Sequence, residues 1–129
     1  MTSNEKRAVD ARLQSGIDLY QGGRLQDAIT DLWKLTRDHK TSPKAWGYLG
    51  FLLYEAEDMK STAASFRNAV KLSPESERAS LGLFFALRGL GRFPEALREL
   101  GRFATVGKPQ KYIQMMRGAA SELGEQTGN

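Results

Sequence analysis

A pattern of apolar and small residues that recurs at a fixed interval constrains this chain more than any other feature. In the central copy Trp46, Leu49 and Leu53 fall on one stripe of a helix with 3.6 residues per turn. The chain breaks at 57–58, and a second helical stripe then runs to a stop at Pro74. That second stripe consists of Ala63, Phe66, Ala69, Val70 and Leu72. Two helices of about 14 residues joined by a tight turn form an αα-hairpin.

The same pattern recurs at a constant interval before and after the central copy, so that position 50 corresponds to position 16 in the preceding copy and to position 84 in the following one. Gly16 aligns with Gly50 in the preceding copy, and Gly22 and Gly23 supply its turn. In the following copy the segment GRFPEAL, residues 91–97, supplies the turn and the start of the second helix. The three copies cover 9–42, 43–76 and 77–108. Helical spacing of apolar residues predicts a seventh helix at 109–124.

This pattern resembles the tetratricopeptide repeat, whose signature combines a Trp, a Leu-Gly pair, small and aromatic positions in the second helix and a terminal Pro. The resemblance implies an all-α fold: one domain over residues 1–129, built as a right-handed α-α superhelix of about seven antiparallel helices. The segment 109–124 would cap the open end of the stack. The first copy departs most from the signature, because Arg12 and Ser15 stand at the Trp and Leu positions, and Phe84 replaces the glycine in the third copy.

Burial of the first stripe should supply most of the stability, since each large apolar side chain contributes about 1.5–3 kcal/mol when buried. The small residues Gly50, Ala63 and Ala69 are expected where neighbouring helices approach closely. The predicted continuous interior consists of Trp46, Leu49, Leu53, Phe66, Val70, Leu83, Leu87, Leu97 and Leu100.

The first helices carry a second apolar stripe, which is unusual for a surface helix. In tetratricopeptide proteins successive first helices line the concave side, so the resemblance places this stripe in one groove. Its aromatic side chains, at about 150–250 Å² each, would form a patch of the size that marks interaction sites. The predicted groove consists of Leu13, Ile17, Tyr20, Lys44, Tyr48, Phe51, Tyr54, Glu55, Arg78, Leu81, Phe85 and Arg88.

This groove suits an apolar or amphipathic segment of a partner protein, and the predicted function is a non-catalytic adaptor, scaffold or chaperone-like module. In character the groove is similar to that of bacterial tetratricopeptide secretion chaperones. Of the positions that form the family's carboxylate clamp only Arg78 is basic, so that function is not expected. Two alternatives remain open: the stripe is core, covered by the seventh helix or the N-terminal arm, or it mediates homo-oligomerisation, for example as a homodimer.

Composition narrows the function further. The chain has no cysteine and one histidine, His39, without a nucleophile at a recognisable spacing, so no enzyme activity, metal or cofactor is expected. No apolar run reaches the length of a membrane span or a signal peptide, which predicts a cytoplasmic protein without membrane insertion. The net charge of +4 is small, and Glu95 and Glu99 offset the basic residues of the last third. Nucleic acid is therefore not the expected partner, and a nucleic-acid accessory role is the weakest alternative.

Overall fold

The computed structural model describes residues 1–107 together with 114, 117 and 118. Residues 1–107 form six helices in three consecutive pairs. The predicted capping helix at 109–124 falls almost wholly outside the described residues and stays a prediction. The six helices are α1 (Ser3–Gln21), α2 (Leu25–Asp38), α3 (Pro43–Glu55), α4 (Met59–Leu72), α5 (Glu77–Gly89) and α6 (Phe93–Val106).

The bounds of these helices confirm the register of the repeat. The second helices α2, α4 and α6 begin at equivalent positions of the three copies, and α3 and α5 also begin at equivalent positions. Only α1 departs from the register, because it has 19 residues and begins at Ser3, ahead of the predicted copy at 9–42. Each loop between helices has three or four residues, so consecutive helices are antiparallel.

The helix ends follow from local hydrogen bonding. The side chains of Ser42, Asp58 and Ser76 accept hydrogen bonds from the backbone N–H three residues on, which satisfies one free donor at the start of α3, α4 and α5. Within each pair, the turn contains one residue with positive φ, at the same position in every copy. Gly23 and Gly91 occupy two of these positions, and Glu57 occupies the third with φ of 62°. A non-glycine residue in this conformation is strained.

The interior consists of two clusters, one built by α1–α3 and one by α4–α6, and half-buried Trp46 packs against both. The prediction of buried core positions is confirmed for Leu49, Leu53, Phe66 and Val70, and for Leu83, Leu87 and Leu100.

One of the core predictions, Trp46, holds only in part, and another, Leu97, is wrong. Trp46 is only half buried, and its indole N–H donates to the Lys40 carbonyl at 2.9 Å, near the surface. Leu97 is 49% exposed, although the equivalent positions Ile29 and Ala63 are buried. Those two residues lie between a helix pair and the pair that follows it, whereas α6 ends the described stack.

Candidate protein-binding groove

The curvature of the stack separates two faces. The backbones of the first helices approach one another closely, α1 with α3 and α3 with α5, with Cα atoms within 8 Å. The backbones of the second helices α2, α4 and α6 stay farther apart, and the Arg67–Glu95 ion pair at 3.7 Å spans the distance from α4 to α6. The first helices therefore lie on the inner side of the curve. All twelve residues of the predicted groove lie on α1, α3 and α5.

The larger depression on this face lies between α3 and α5 and has a volume of about 550 Å³. This is within the usual range of about 300–1,000 Å³ for ligand pockets. It lies at the N-terminal ends of both helices and has an open side at Gly47, where an added Cβ would meet nothing within 4 Å. Its lining consists of Pro43, Lys44, Gly47, Tyr48, Phe51, Phe66, Ser76, Arg78 and Ala79.

Phe66, on α4, reaches the floor of this depression from the core. An ideal Cβ at Gly50 would lie 2.8 Å from Cε2 of the Phe66 ring, and one at Gly82 would lie 2.5 Å from Cε1. The Phe66 ring therefore lies between α3 and α5, with one edge against Gly50 and the opposite edge against Gly82. The absence of a Cβ at Gly82 lets a residue of the second helix form part of the groove.

A smaller depression of about 200 Å³ lies between α1 and α3. Leu13, Ile17 and Tyr20 line it from α1. Tyr48 and Phe51 line both depressions, so they form the wall between them. Phe51 is 40% exposed, and Tyr20 packs edge-on against its ring with centroids 5.4 Å apart. The centre of the groove is therefore the pair Tyr48 and Phe51.

One polar contact joins α1 to α3 at the C-terminal end of the groove. The Tyr20 hydroxyl donates to Glu55 Oε2 at 3.0 Å. This hydrogen bond, with smaller contributions from desolvation and from the negative charge of Glu55, raises the pKa of Tyr20 above its ordinary value. Near neutral pH the Tyr20 hydroxyl therefore remains protonated and donates its hydrogen bond to Glu55.

The positive charges of the groove differ in how far they are already engaged. Lys44 Nζ lies 3.1 Å from Asp10 Oδ1, and both side chains are exposed. In the second copy the position of Asp10 is occupied by Lys44 itself, so the repeat supplies no equivalent acid for Arg78. Arg78 makes no ion pair within residues 1–107, and it lines the larger depression. It is the cation most available to a bound segment.

At the other end of the groove Arg88 lies over Phe85, with its guanidinium carbon 5.1 Å from the ring centroid. This cation–π contact covers part of an aromatic ring that is still 36% exposed. Tyr54 is 43% exposed and lines neither depression. These three residues belong to the same inner face but lie away from its two cavities.

The structure thus brings most, but not all, of the predicted residues together. Leu13 lines the smaller depression, but it is only 3% exposed and belongs mainly to the core of α1–α3. Leu81 is half-buried and packs against the core of α4–α6. The residues of the larger depression that the sequence did not indicate are Pro43, Gly47, Ser76 and Ala79, together with Phe66, which was predicted only as core. Gly47 and Gly82 are the sequence features that could have indicated this depression, because both positions on the groove-facing side of the helices lack a side chain.

None of the helices within residues 1–107 is long and apolar enough to cross a membrane.

Solved structures with the same architecture are known, although no protein-family model and no curated protein sequence matches the chain. The crystal structure of MamA superposes with a TM-score of 0.70 at 22% identity, over 78% of this chain and 58% of MamA. This chain therefore spans just over half the length of that structure. The residue 41-to-end form of MamA from Desulfovibrio magneticus RS-1 gives 0.67 at 20% identity, over 75% of this chain and 55% of that one.

The first TPR of Spaghetti (RPAP3), solved with an HSP90 peptide, gives a TM-score of 0.77 at 15% identity, over 90% of this chain and 93% of that domain. At these identities the likeness establishes the fold and no more. The chain has an all-α fold of tetratricopeptide type, a superhelix of antiparallel helix pairs.

Proposed function

We propose that this chain is a non-catalytic protein-interaction module that holds an apolar or amphipathic segment of a partner protein in the groove formed by α1, α3 and α5. The observation that carries the proposal is the depression of about 550 Å³ in front of Phe51, which is open on the inner face of the stack formed by residues 1–107. Its walls are mainly apolar, and Arg78 lies at one edge. An adaptor or chaperone-like role in the cytoplasm is the form of this function that we propose.

The chemistry of the lining favours an apolar segment over a terminal carboxylate. Tyr48 and Phe51 present aromatic surface to both depressions, whereas Lys44 is already paired with Asp10. An aromatic or aliphatic side chain of the partner, seated between α3 and α5, would bury this surface. The fold of the Spaghetti (RPAP3) domain holds a peptide in its own structure, which supports a peptide-sized occupant here.

Gly47 offers a test that blocks the groove without weakening the protein. A side chain added at this position enters open space in the depression, since an added Cβ meets nothing within 4 Å. Peptides selected from a display library against the wild-type protein should bind the Gly47→Phe variant at least tenfold more weakly, about 1.4 kcal/mol. The Gly47→Ala variant is the matched control, because it makes the same backbone change while leaving most of the depression empty.

Phe51→Glu should also abolish binding, because it places a charge on the wall between the two depressions. Thr30→Glu with Ala64→Glu, on exposed positions of the second helices, should leave binding unchanged. Selected peptides that bind Gly47→Phe and Phe51→Glu as well as the wild type would refute the site. Sedimentation velocity of the purified protein tests the alternative, since a second copy of the chain in the groove would appear as a dimer that Gly47→Phe dissociates.

A further inference from the structure

A second cavity lies on the opposite face of the stack, in the cleft between α2 and α4. Its volume is about 470 Å³. The cleft exists because these second helices stand apart on the outer side of the curve. Trp33 is 44% exposed and Leu72 is 39% exposed, and half-buried Trp46 lies between them on α3. The apolar side chains in its lining are Trp33, Trp46 and Leu72, and the basic ones are Arg37, Lys40 and Lys71.

The equivalent cleft between α4 and α6 is bridged by side chains of the protein itself, since the Arg67 guanidinium on α4 lies 3.7 Å from Glu95 Oε2 on α6. Arg102, which occupies the position of Asn68 in the third copy, donates from Nη1 to the Pro74 carbonyl at 3.0 Å. The same guanidinium donates to buried Glu99 at 2.6 and 2.8 Å, and Glu99 also accepts from Ser80 at 2.6 Å. This network joins α6 to α5 and to the loop between α4 and α5.

In the α2–α4 cleft, different residues occupy the positions equivalent to those of the network. Ser65 stands at the Glu99 position, Trp46 at the Ser80 position and the shorter Asn68 at the Arg102 position. The Lys40 carbonyl, equivalent to that of Pro74, accepts from the Trp46 indole at 2.9 Å. The α2–α4 cleft therefore has no equivalent of Arg102. Trp33 and Ser61 also stand at the positions of the Arg67–Glu95 ion pair, so that bridge is absent here and two indoles line the space.

The charge around the cleft is positive. Arg37, Lys40 and Lys71 contribute three cations, and no carboxylate is among the lining residues. Asp38 is adjacent, but it is paired with Arg12 at 3.0 Å and Arg37 at 3.1 Å. The guanidinium of Arg37, followed by that of Arg12, lowers the pKa of Asp38, so this carboxylate is ionised near neutral pH.

Helix ends reduce this positive charge without cancelling it. The C-termini of α2 and α4 each contribute about −0.5 of an elementary charge, and Asp38 contributes one full negative charge. Three cations still leave about one positive charge in excess. Lys40 and Lys71 make no ion pair within residues 1–107, so both ammonium groups are available.

We propose that the α2–α4 cleft binds an acidic segment of a partner protein, with an apolar side chain between the two indoles and carboxylates on Lys40, Lys71 and Arg37. Charge complementarity defines the occupant as acidic, and the indoles with Leu72 define its anchor as apolar. A single-stranded nucleic acid would also suit aromatic and basic residues, but it binds along a basic track over several phosphates. Here the cations surround one cavity of side-chain size. The site is independent of the groove on the inner face.

The two tryptophans of the chain both line this cleft, so intrinsic fluorescence reports on it directly. The probe is a short acetylated and amidated peptide with a central Leu-Phe pair flanked by glutamates. Its titration should shift the tryptophan emission to saturation, and the same peptide with glutamines should bind at least tenfold more weakly. The double variant Lys40→Glu with Lys71→Glu should lose at least tenfold in affinity for the acidic peptide.

A matched double variant separates a local site from a general charge effect. Lys34→Glu with Lys60→Glu makes the same change in net charge at exposed positions of α2 and α4 that do not line the cleft, and it should retain affinity within about threefold. The groove variant Gly47→Phe should bind the acidic peptide normally, which separates this site from the proposed function. The proposal is overturned by an unchanged emission on titration with the acidic peptide, by equal losses in the two double variants, or by tighter binding of a single-stranded oligonucleotide.

Discussion

The position of the Phe66 ring between α3 and α5 leads to a quantitative prediction that compares two glycines, Gly47 and Gly82. Gly47, Gly50 and Gly82 all lie within helices, so replacement by alanine gains helix propensity of about 0.8–1 kcal/mol at each. At Gly47 the added Cβ meets nothing within 4 Å, so Gly47→Ala should raise the free energy of unfolding by about that amount.

At Gly82 the same substitution places a Cβ 2.5 Å from the Phe66 ring. Gly50 restricts movement of the ring away from Gly82, because it lies so close to the opposite edge that a Cβ added there would be 2.8 Å from Cε2. Overpacking of this kind costs about 1–3 kcal/mol. Since the gain in propensity is common to both variants, Gly82→Ala should be less stable than Gly47→Ala by about 1–3 kcal/mol.

The assay is urea unfolding followed by far-ultraviolet circular dichroism, with equal slopes required before the free energies are compared. A double-mutant cycle identifies the cause: in a Phe66→Leu background the cost of Gly82→Ala should fall by at least 0.5 kcal/mol, about the smallest coupling typical of residues in contact. Equal stability of Gly82→Ala and Gly47→Ala, or a cost at Gly82 that is independent of residue 66, would refute this role of Phe66.

The remaining predictions concern single residues and the C-terminal segment. Glu57→Gly should raise the free energy of unfolding by up to about 1 kcal/mol, because it relieves the positive φ of 62°, and thermal unfolding measures it. Glu99→Gln should cost about 1.5–3 kcal/mol in urea unfolding, since a buried carboxylate that accepts three hydrogen bonds loses its charge. The neutral form of Tyr20 is favoured in the folded state, so its contribution to stability is complete below the unfolded pKa and is lost as the pH rises through the raised folded pKa. Glu55→Gln should lower the folded pKa of Tyr20, which an ultraviolet titration measures. Removal of 108–129 should lower stability and promote self-association if 109–124 caps α6, and sedimentation velocity that shows an equally stable monomer would contradict the cap.

The sequence was sufficient to predict the helix pairs and their register. Turn residues with positive φ and apolar stripes are local signals that recur at the same position in every copy, and the serine caps Ser42 and Ser76 recur in two of them. The inner face was predictable for the same reason: Tyr48, Phe51 and Phe85 stand on a stripe that the first stripe does not need for burial.

Contacts between copies were not predictable from the register. The alignment of the copies places Gly82 at the position of Tyr48, but it does not reveal that the Phe66 ring from the preceding pair lies where a Cβ at Gly82 would be. Leu97 aligns with two buried residues but is exposed on the last described helix. Trp46 was expected inside because it lies on the same helical stripe as Leu49 and Leu53, whereas its indole N–H requires an acceptor and finds one at the edge of the core. Burial at such positions depends on the neighbouring pair and not on the local pattern.

Phe66 also has a consequence for motion. The ring that floors the larger depression is the same ring that fixes the distance between the second and third helix pairs. A guest side chain seated on it would brace this junction, so occupancy and stiffness of the stack are coupled. Amide hydrogen exchange in α5 and α6 should therefore slow when the depression is filled, even though most of those amides lie far from the guest.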